Sequence, residues 1–144
     1  MKDEALFKEA LARLPHGPEF RYVDRLTELE PGVSGLGEFT LRGDAAFLKG
    51  HFPGQPLMPG VLLIEAAAQV AGVVAQSDPE IPPLRNLKLT AVRSAKILGT
   101  AEPGETIRVE ASVDGRMGHL IQVSAVVTVG GRAILRTMLT LAGE

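Results

Sequence analysis

Two side chains that can exchange protons stand fourteen positions apart in this sequence, His51 and Glu65. A histidine titrates near neutral pH, so it can act as a base under physiological conditions. A carboxyl group in apolar surroundings can remain protonated and donate its proton. Such a pair can remove a proton from carbon and deliver another to a departing oxygen. Gln69 follows Glu65 by four residues and lies on the same face of a helix.

Two contrasting segments must position this pair. Loop 50–60 carries His51 together with three prolines and three glycines, and it is stiff because proline fixes φ and biases the preceding residue away from helix. Residues 61–76 are apolar or small except for Glu65 and two glutamines, which predicts a helix buried on every side and roughly 24 Å long. An ionised carboxylate in such a helix costs several kcal/mol unless it is paired or hydrogen-bonded.

Each residue also has an ordinary structural interpretation. Glu65 could be a core residue that caps a loop or pairs with an arginine, and His51 could be a hydrogen-bonded loop residue. Together, on a stiff loop that leads into a buried helix, they favour a functional site. Gly60 adds a third element, because a glycine at the start of a helix lets a ligand oxygen approach unpaired backbone N–H groups at the positive end of the helix dipole.

Residues 51–69 read His-Phe-Pro-Gly-Gln-Pro-Leu-Met-Pro-Gly-Val-Leu-Leu-Ile-Glu-Ala-Ala-Ala-Gln. This stretch resembles the signature of the beta-hydroxyacyl-acyl-carrier-protein dehydratases of the FabZ type, which have the hot-dog fold. The spacing between histidine and glutamate also matches. The related FabA group typically has Asp where Glu65 stands, so the chain is more similar to the FabZ group.

The resemblance implies dehydration of 3-hydroxyacyl-acyl carrier protein to the trans-2-enoyl thioester in fatty-acid or related acyl-chain biosynthesis. In that reaction His51 is the base toward C2 and Glu65 protonates the leaving hydroxyl group. The N–H groups of Gly60 and Val61 hold the thioester oxygen, and Gln69 orients the carboxyl group. The resemblance implies acyl carrier protein as a partner and no cofactor. It also implies a homodimer, free or within a trimer of dimers, whose interface sites combine the histidine and glutamate of different subunits.

Periodicity and turn residues predict the remaining elements. A run of strands with helix confined to separate blocks indicates an α+β fold with an antiparallel sheet; the resemblance implies the hot-dog arrangement, a curved sheet wrapped around one long buried helix. The length of 144 residues predicts one domain, residues 1–144. Turns are expected at 114–118 and at 130–131, and His16 is interpreted as a structural residue of a proline-rich turn. The predicted helices are 3–14 and 61–76, and the predicted strands are 20–30, 33–41, 84–98, 106–113, 120–129 and 133–141.

Composition restricts the class of partner. The net charge of −2 argues against nucleic acid, but residues 1–84 carry 7 Lys and Arg against 12 Asp and Glu, whereas residues 85–136 carry 8 against 4. This locally basic part contains Arg93 and Lys96, which we expect to dock the acidic carrier protein. The chain has no cysteine, begins without a secretory signal and contains no apolar stretch long enough to span a membrane. The predicted location is therefore the cytoplasm.

Three alternatives remain open. A hot-dog thioesterase would hydrolyse the same thioester bond, although such enzymes usually place the acidic residue elsewhere and lack the His-Phe-Pro-Gly loop. A noncatalytic acyl-binding module would not require both His51 and Glu65. A metal site could combine His16, His51 and His119, but their spacing matches no known set of metal ligands.

Overall fold

The computed structural model describes residues 2–48 and 57–144 of the chain. Within these residues, two α-helices and six β-strands are joined by loops and by two short 3₁₀ helices, Pro18–Phe20 and Ala46–Leu48. In chain order the main elements are α1 (Lys2–Ala12), β1 (Arg25–Glu30), β2 (Ser34–Thr40), α2 (Gly60–Ala75), β3 (Lys88–Ile97), β4 (Thr106–Met117), β5 (Leu120–Val129) and β6 (Arg132–Ala142).

The strands form one antiparallel sheet in the order β1-β2-β4-β5-β6-β3. Helix α2 packs against β2, β4, β5, β6 and β3, so the sheet curves around the helix instead of lying flat beside it. The predicted α+β hot-dog arrangement is confirmed. At Gly130 and Gly131, both with positive φ of 56° and 83°, the β5–β6 hairpin turns as predicted.

The core lies between α2 and the inner face of the sheet. Alternate residues of β5 are buried from Ile121 to Val129, as expected for a strand with one face on the core. Two glycines allow β2 to approach the helix closely, because a Cβ at Gly35 would lie 2.7 Å from Val74 and one at Gly37 would lie 2.9 Å from Val70. Substitution of either glycine would push the helix away from the sheet.

Several predicted boundaries were wrong. Strand β1 begins at Arg25 and not at residue 20, because Pro18 starts a 3₁₀ turn there. Strand β4 continues into the predicted turn 114–118 as far as Met117, since a register shift between Val113 and Gly115 keeps it paired with β5. Helix α2 is not buried on every side, because Val61 is 70% exposed. In the single chain, the first turn of α2 therefore presents an apolar side chain to solvent.

Strand β3 forms one edge of the sheet and pairs with β6 alone among the described strands. Its residues are almost all exposed, and the apolar side chains of Val92, Ile97 and Leu98 are each about half exposed. A long, exposed and partly apolar edge is a ready site for pairing with another chain. Over the residues that the structure describes, no helix is both long and apolar enough to cross a membrane.

Candidate active site

Glu65 lies in the second turn of α2, on the side of the helix that the sheet does not cover. Its side chain is 20% exposed, so the carboxyl group is half-buried rather than sealed in the core. The helix is positioned just before its first residue, where the backbone N–H of the buried Met58 donates to the carbonyl of Ala101 at 2.9 Å. This anchor fixes where α2 starts and therefore where Glu65 lies.

Gln69 connects the carboxyl group of Glu65 to the segment before β1. It is only 2% exposed, and its carbonyl oxygen accepts the backbone N–H of Tyr22 at 2.8 Å. Its amide nitrogen donates to the carbonyl of Phe20 at 2.8 Å and to Oε2 of Glu65 at 3.0 Å. Because both N–H donors and the carbonyl oxygen have partners, the orientation of the amide is fixed and one N–H is directed at Glu65.

His16 meets the same carboxylate oxygen from the other side. Its Nε2 lies 3.3 Å from Oε2 of Glu65, and its ring stacks on Phe20 with centroids 6.1 Å apart. The sequence assigned this histidine to a structural turn, and it was missed as a neighbour of the site. The sequence signal for His16 was its position in a proline-stiffened turn. No spacing rule connects His16 with Glu65, because the two residues are far apart in the chain.

Tyr22 forms part of an aromatic wall near Glu65. Its ring makes edge contacts with Phe20, Phe39 and Phe47, with centroids 5.0 to 5.9 Å apart. Burial, and then the negative charge of Glu65, raise the pKa of the Tyr22 phenol above its ordinary value. The phenol therefore stays neutral at physiological pH, and it senses the charge of the candidate acid.

A cavity of about 460 Å³ opens beside Glu65 and extends along α2 to Gln76. Glu65 and Gln76 are eleven positions apart, which corresponds to about 16 Å of helix, so this cavity, which we call the α2 groove, is elongated. His16, Glu65 and Gln69 line one part of it, and apolar side chains line much of the remainder. The apolar lining consists of Leu14, Ala68, Val73, Leu84, Leu87, Leu89 and Leu141.

Gly72 lies in the wall of the α2 groove, in the last turn of the helix. Glycine inside a helix is about 1 kcal/mol less favourable than alanine. Packing does not require it, because an added Cβ would meet Leu87 at 3.6 Å and Leu141 at 4.0 Å, which are ordinary contacts. Its effect is to leave space in the groove between these two leucines.

The first residues of α2 supply backbone donors. The carbonyl of Pro59 accepts the N–H groups of Leu62 and Leu63 at 2.9 and 3.2 Å, so the hydrogen bonds of the helix begin there. The N–H groups of Gly60 and Val61 precede them at the positive end of the helix. A Cβ at Gly60 would lie 2.6 Å from the terminal methyl group of Ile97, so glycine lets the side chain of Ile97 in β3 pack closely on this helix start.

The structure brings together Glu65 and Gln69, adds His16 and places Gly60 and Val61 one turn before them. His51 lies outside the described residues. The observed geometry is therefore that of the acid side of the predicted pair: a half-buried carboxyl group that accepts a hydrogen bond from Gln69 and lies 3.3 Å from His16, at the wall of a mainly apolar groove.

Comparison with known proteins identifies the family to which this sequence is similar. The sequence matches the FabA-like domain family over residues 14–138. A relative from Chloroflexus aggregans, named as the 3-hydroxyacyl-acyl-carrier-protein dehydratase FabZ, is 39% identical over 107 residues, which cover 74% of each chain. A protein of the same name from Herpetosiphon aurantiacus is 35% identical over 127 residues, which cover 88% of this chain and 89% of that one.

Solved structures share the fold at low identity. The dehydratase heterocomplex ApeI:P from Xenorhabdus doucetiae superimposes with a TM-score of 0.77 at 14% identity, covering 93% of this chain and 90% of that one. A hypothetical thioesterase with coenzyme A from Streptococcus pneumoniae gives 0.62 at 10% identity, covering 82% and 86%. At such identities the likeness concerns the fold alone, and it extends to proteins whose titles name different activities.

Proposed function

The chain belongs to the FabA-like family, and from this membership we propose that it dehydrates 3-hydroxyacyl thioesters on acyl carrier protein to trans-2-enoyl thioesters, in fatty-acid or related acyl-chain biosynthesis. The supporting observation is the carboxyl group of Glu65, which accepts a hydrogen bond from Gln69 and lies close to His16 at the wall of a mainly apolar groove. Such a group suits a general acid that acts next to an acyl chain. We propose that residues 1–144 form one dehydratase domain, and that it works in the cytoplasm.

The proposed reaction is an elimination that balances without an oxidant or reductant. His51 takes the proton from C2, and the electrons of that bond form the double bond between C2 and C3. The bond between C3 and oxygen breaks, and Glu65 gives its proton to the departing hydroxyl group, which leaves as water. The N–H groups of Gly60 and Val61 stabilise the negative charge that develops on the thioester oxygen, an effect worth about 3 to 4 kcal/mol for one donor in comparable sites.

The α2 groove is the proposed place of the acyl chain. Its walls are largely apolar and it begins at the carboxyl group that must reach C3. A chain that occupied it would bury methylene groups at about 0.8 kcal/mol each. Gly72 then has a functional explanation, because a larger side chain there would fill the groove between Leu87 and Leu141.

We propose that the working unit is a homodimer, alone or within a trimer of dimers, with an active site at each interface. Two features support this assembly: the exposed edge β3 with Val92 and Ile97, and the exposed Val61 at the start of α2. Both are apolar surfaces that a second copy of the chain would cover. Since Gly60 packs against Ile97, these two surfaces are neighbours and belong to one continuous interface.

The acidic carrier protein would dock on basic side chains. Arg93 and Lys96 stay the predicted contacts, and the structure places Arg136 directly opposite Lys96 across the β3–β6 pair. Two like charges opposite each other are unfavourable unless an anion lies between them. Arg136 therefore joins the two residues expected from the sequence as a candidate for carrier contact.

The test is to incubate the pure protein, without added cofactor, with a 3-hydroxyacyl thioester and to follow both enoyl absorbance and free thiol. Dehydration produces enoyl absorbance and no thiol. Thiol release without enoyl absorbance would identify a thioesterase, and binding without either product would identify a noncatalytic acyl-binding module. Glu80→Gln, at an exposed glutamate away from the groove, is the matched control for substitutions of Glu65.

A further inference from the structure

His16 is held in a fixed place by its surroundings. The guanidinium group of Arg21 donates to the backbone carbonyls of Leu14 and His16 at 3.4 and 3.2 Å, and it thereby clamps the turn on both sides of Pro15. The imidazole ring stacks on Phe20 and is 30% exposed. A ring that packing and backbone hydrogen bonds hold in this way can act as a rigid support for another side chain.

The two ring nitrogens of His16 have different environments. Nε2 faces Oε2 of Glu65 at 3.3 Å, whereas Nδ1 is buried and has no hydrogen-bond partner in the described part of the chain. A proton on Nδ1 would be a buried donor without an acceptor, whereas a proton on Nε2 would face a carboxylate oxygen. The surroundings of the ring therefore favour the tautomer with its proton on Nε2.

The same oxygen of Glu65 faces both neighbours. The amide of Gln69 donates to Oε2 at 3.0 Å, and Nε2 of His16 lies 3.3 Å from it, whereas among the described residues Oε1 accepts no hydrogen bond. An oxygen that already accepts Gln69 and faces an imidazole nitrogen is a poor place for the acidic proton, so the proton belongs on Oε1. The surroundings of Oε2 thus decide which oxygen can act as the acid.

We propose that His16 is a positioning residue that, with Gln69, holds Oε2 of Glu65 so that the acidic proton is presented on Oε1. This inference rests on the proposed dehydration. In the step concerned, the bond between Oε1 and hydrogen breaks, the proton joins the oxygen that leaves C3, and water forms. The charge left on the carboxylate is stabilised at Oε2 by the amide of Gln69 and by the Nε2–H of His16, and exchange with solvent returns a proton to Glu65 after the C2 proton leaves the base.

The kinetic test compares two substitutions of the same residue. His16→Met keeps a similar volume but has no N–H donor, whereas His16→Gln has an amide N–H that reaches about as far as Nε2. We expect His16→Met to lower kcat by tenfold or more with KM within about twofold, because a misplaced acid slows only the chemical step. His16→Gln should recover kcat to within about threefold of the native protein. The control His119→Gln, at an exposed histidine, should have the same kcat as the native protein.

Three kinetic results would overturn the proposal: native kcat in His16→Met, an equal loss in His16→Met and His16→Gln, or a change confined to KM. The last result would make His16 a substrate contact instead. Thermal unfolding of each variant accompanies the kinetics. If His16→Met proves unstable, His16→Gln set against His16→Leu gives the same comparison of a donor with no donor.

A spectroscopic test does not depend on activity. The chain has three histidines, so ¹⁵N-labelled imidazole spectra contain three ring systems that single substitutions assign. The proposal expects the Nε2–H tautomer for His16 and a shift of its Nε2 signal in Glu65→Ala, with His119 unchanged. An Nδ1–H tautomer, or no response to Glu65→Ala, would refute the contact. A native protein that showed the expected spectrum but no dehydration would refute the proposed function and leave the contact standing.

Discussion

The two ends of helix α2 carry polar side chains of different kinds. At the C-terminal end, Ser77 donates to the carbonyl of Val74 at 2.7 Å and accepts the N–H of Gly32 at 3.2 Å. Gln76 exchanges two hydrogen bonds with the backbone of Leu84, at 2.7 and 3.2 Å. All these groups are neutral and their partners are backbone atoms, so this end ties loops to the helix.

Near the N-terminal end, Glu65 is ionisable and is held by the side chains His16 and Gln69. Its carboxyl group borders a groove and remains partly exposed. The comparison shows that polarity inside a buried helix does not by itself indicate function. What separates the two ends is an ionisable group that keeps access to a cavity while its partners restrict how it is oriented.

Cations strengthen the structural character of the C-terminal end. Arg13 donates to the carbonyl of Gln76 at 3.0 Å, and Arg116 donates to the carbonyl of Ala75. Positive side chains at the end of a helix satisfy its last carbonyls and complement its dipole. Arg116 is therefore occupied in capping α2.

The largest expected effect comes from Glu65→Gln. The amide keeps the shape and can still accept hydrogen bonds, but it has no acidic proton. We expect kcat to fall by at least about 100-fold, while urea unfolding gives a free energy within about 1 kcal/mol of the native value. Glu80→Gln should have native kcat. A folded Glu65→Gln variant with near-native turnover would remove Glu65 from the chemistry.

The next prediction tests whether the His51 and Glu65 of one active site come from the same subunit or from two different subunits. His51→Ala and Glu65→Ala should each be inactive, and mixing them in equal amounts under conditions of subunit exchange should restore about one quarter of the native activity. This fraction follows because half of the dimers are mixed and each contains one intact site. If exchange is demonstrated by mass and no activity returns, both residues of a site come from the same chain.

Gly72 lies between Glu65 and Gln76 in the groove lining, and Gly72→Leu should block the α2 groove there. We expect kcat/KM for a long 3-hydroxyacyl thioester to fall tenfold or more, while the value for a 3-hydroxybutanoyl thioester changes by less than about threefold. Gly72→Ala is the matched control, because its Cβ fits. Equal losses on both substrates would mean that the acyl chain does not follow the groove.

Ser77→Ala is the structural counterpart of Glu65→Gln. Removing the hydroxyl group leaves the hydrogen bond from Gly32 to the carbonyl of Val74 at 3.1 Å, so the expected cost is about 1 kcal/mol of unfolding free energy. Turnover per folded molecule should equal that of the native protein. Urea unfolding followed by circular dichroism measures the free energy of unfolding. Loss of kcat without loss of stability would contradict the view that the C-terminal end of α2 has a structural role only.

The smallest expected effect is a shift in the titration of Tyr22. It is the only tyrosine, and the chain has no tryptophan, so tyrosinate absorbance reports on this residue alone. Burial and the charge of Glu65 raise its pKa, and in Glu65→Gln the pKa should fall part of the way back. Unchanged absorbance titration in that variant would mean that the phenol does not sense the carboxylate.

The raised pKa of Tyr22 also makes the stability of the protein depend on pH in the alkaline range. Because the folded pKa of Tyr22 is above the unfolded value, the stability it contributes is complete below about pH 10. This stability is lost as pH rises through the folded pKa. Tyr22→Phe should therefore show a shallower alkaline loss of stability than the native protein.

Local patterns identified most elements but not all their ends. Alternation gave β5 with its observed bounds, and the two glycines at 130–131 gave its hairpin, because both signals are confined to neighbouring residues. The boundaries of β1 and β4 were wrong, since a 3₁₀ turn and a register shift depend on what the strands pack against. The exposed Val61 was missed for the same reason: an apolar sequence does not indicate whether one chain or two bury it.

By itself, the sequence determined the chemistry that is possible: an acid on a long apolar helix, a glutamine one turn later, a histidine on a stiff loop, and glycines where backbones must approach. Only the tertiary structure decided that His16 reaches Glu65, that His16 and Gln69 both face Oε2, and that a groove remains beside Gly72. Side-chain spacing within a helix is set by its geometry, whereas contacts between a turn and a helix far along the chain depend on how the sheet folds around α2.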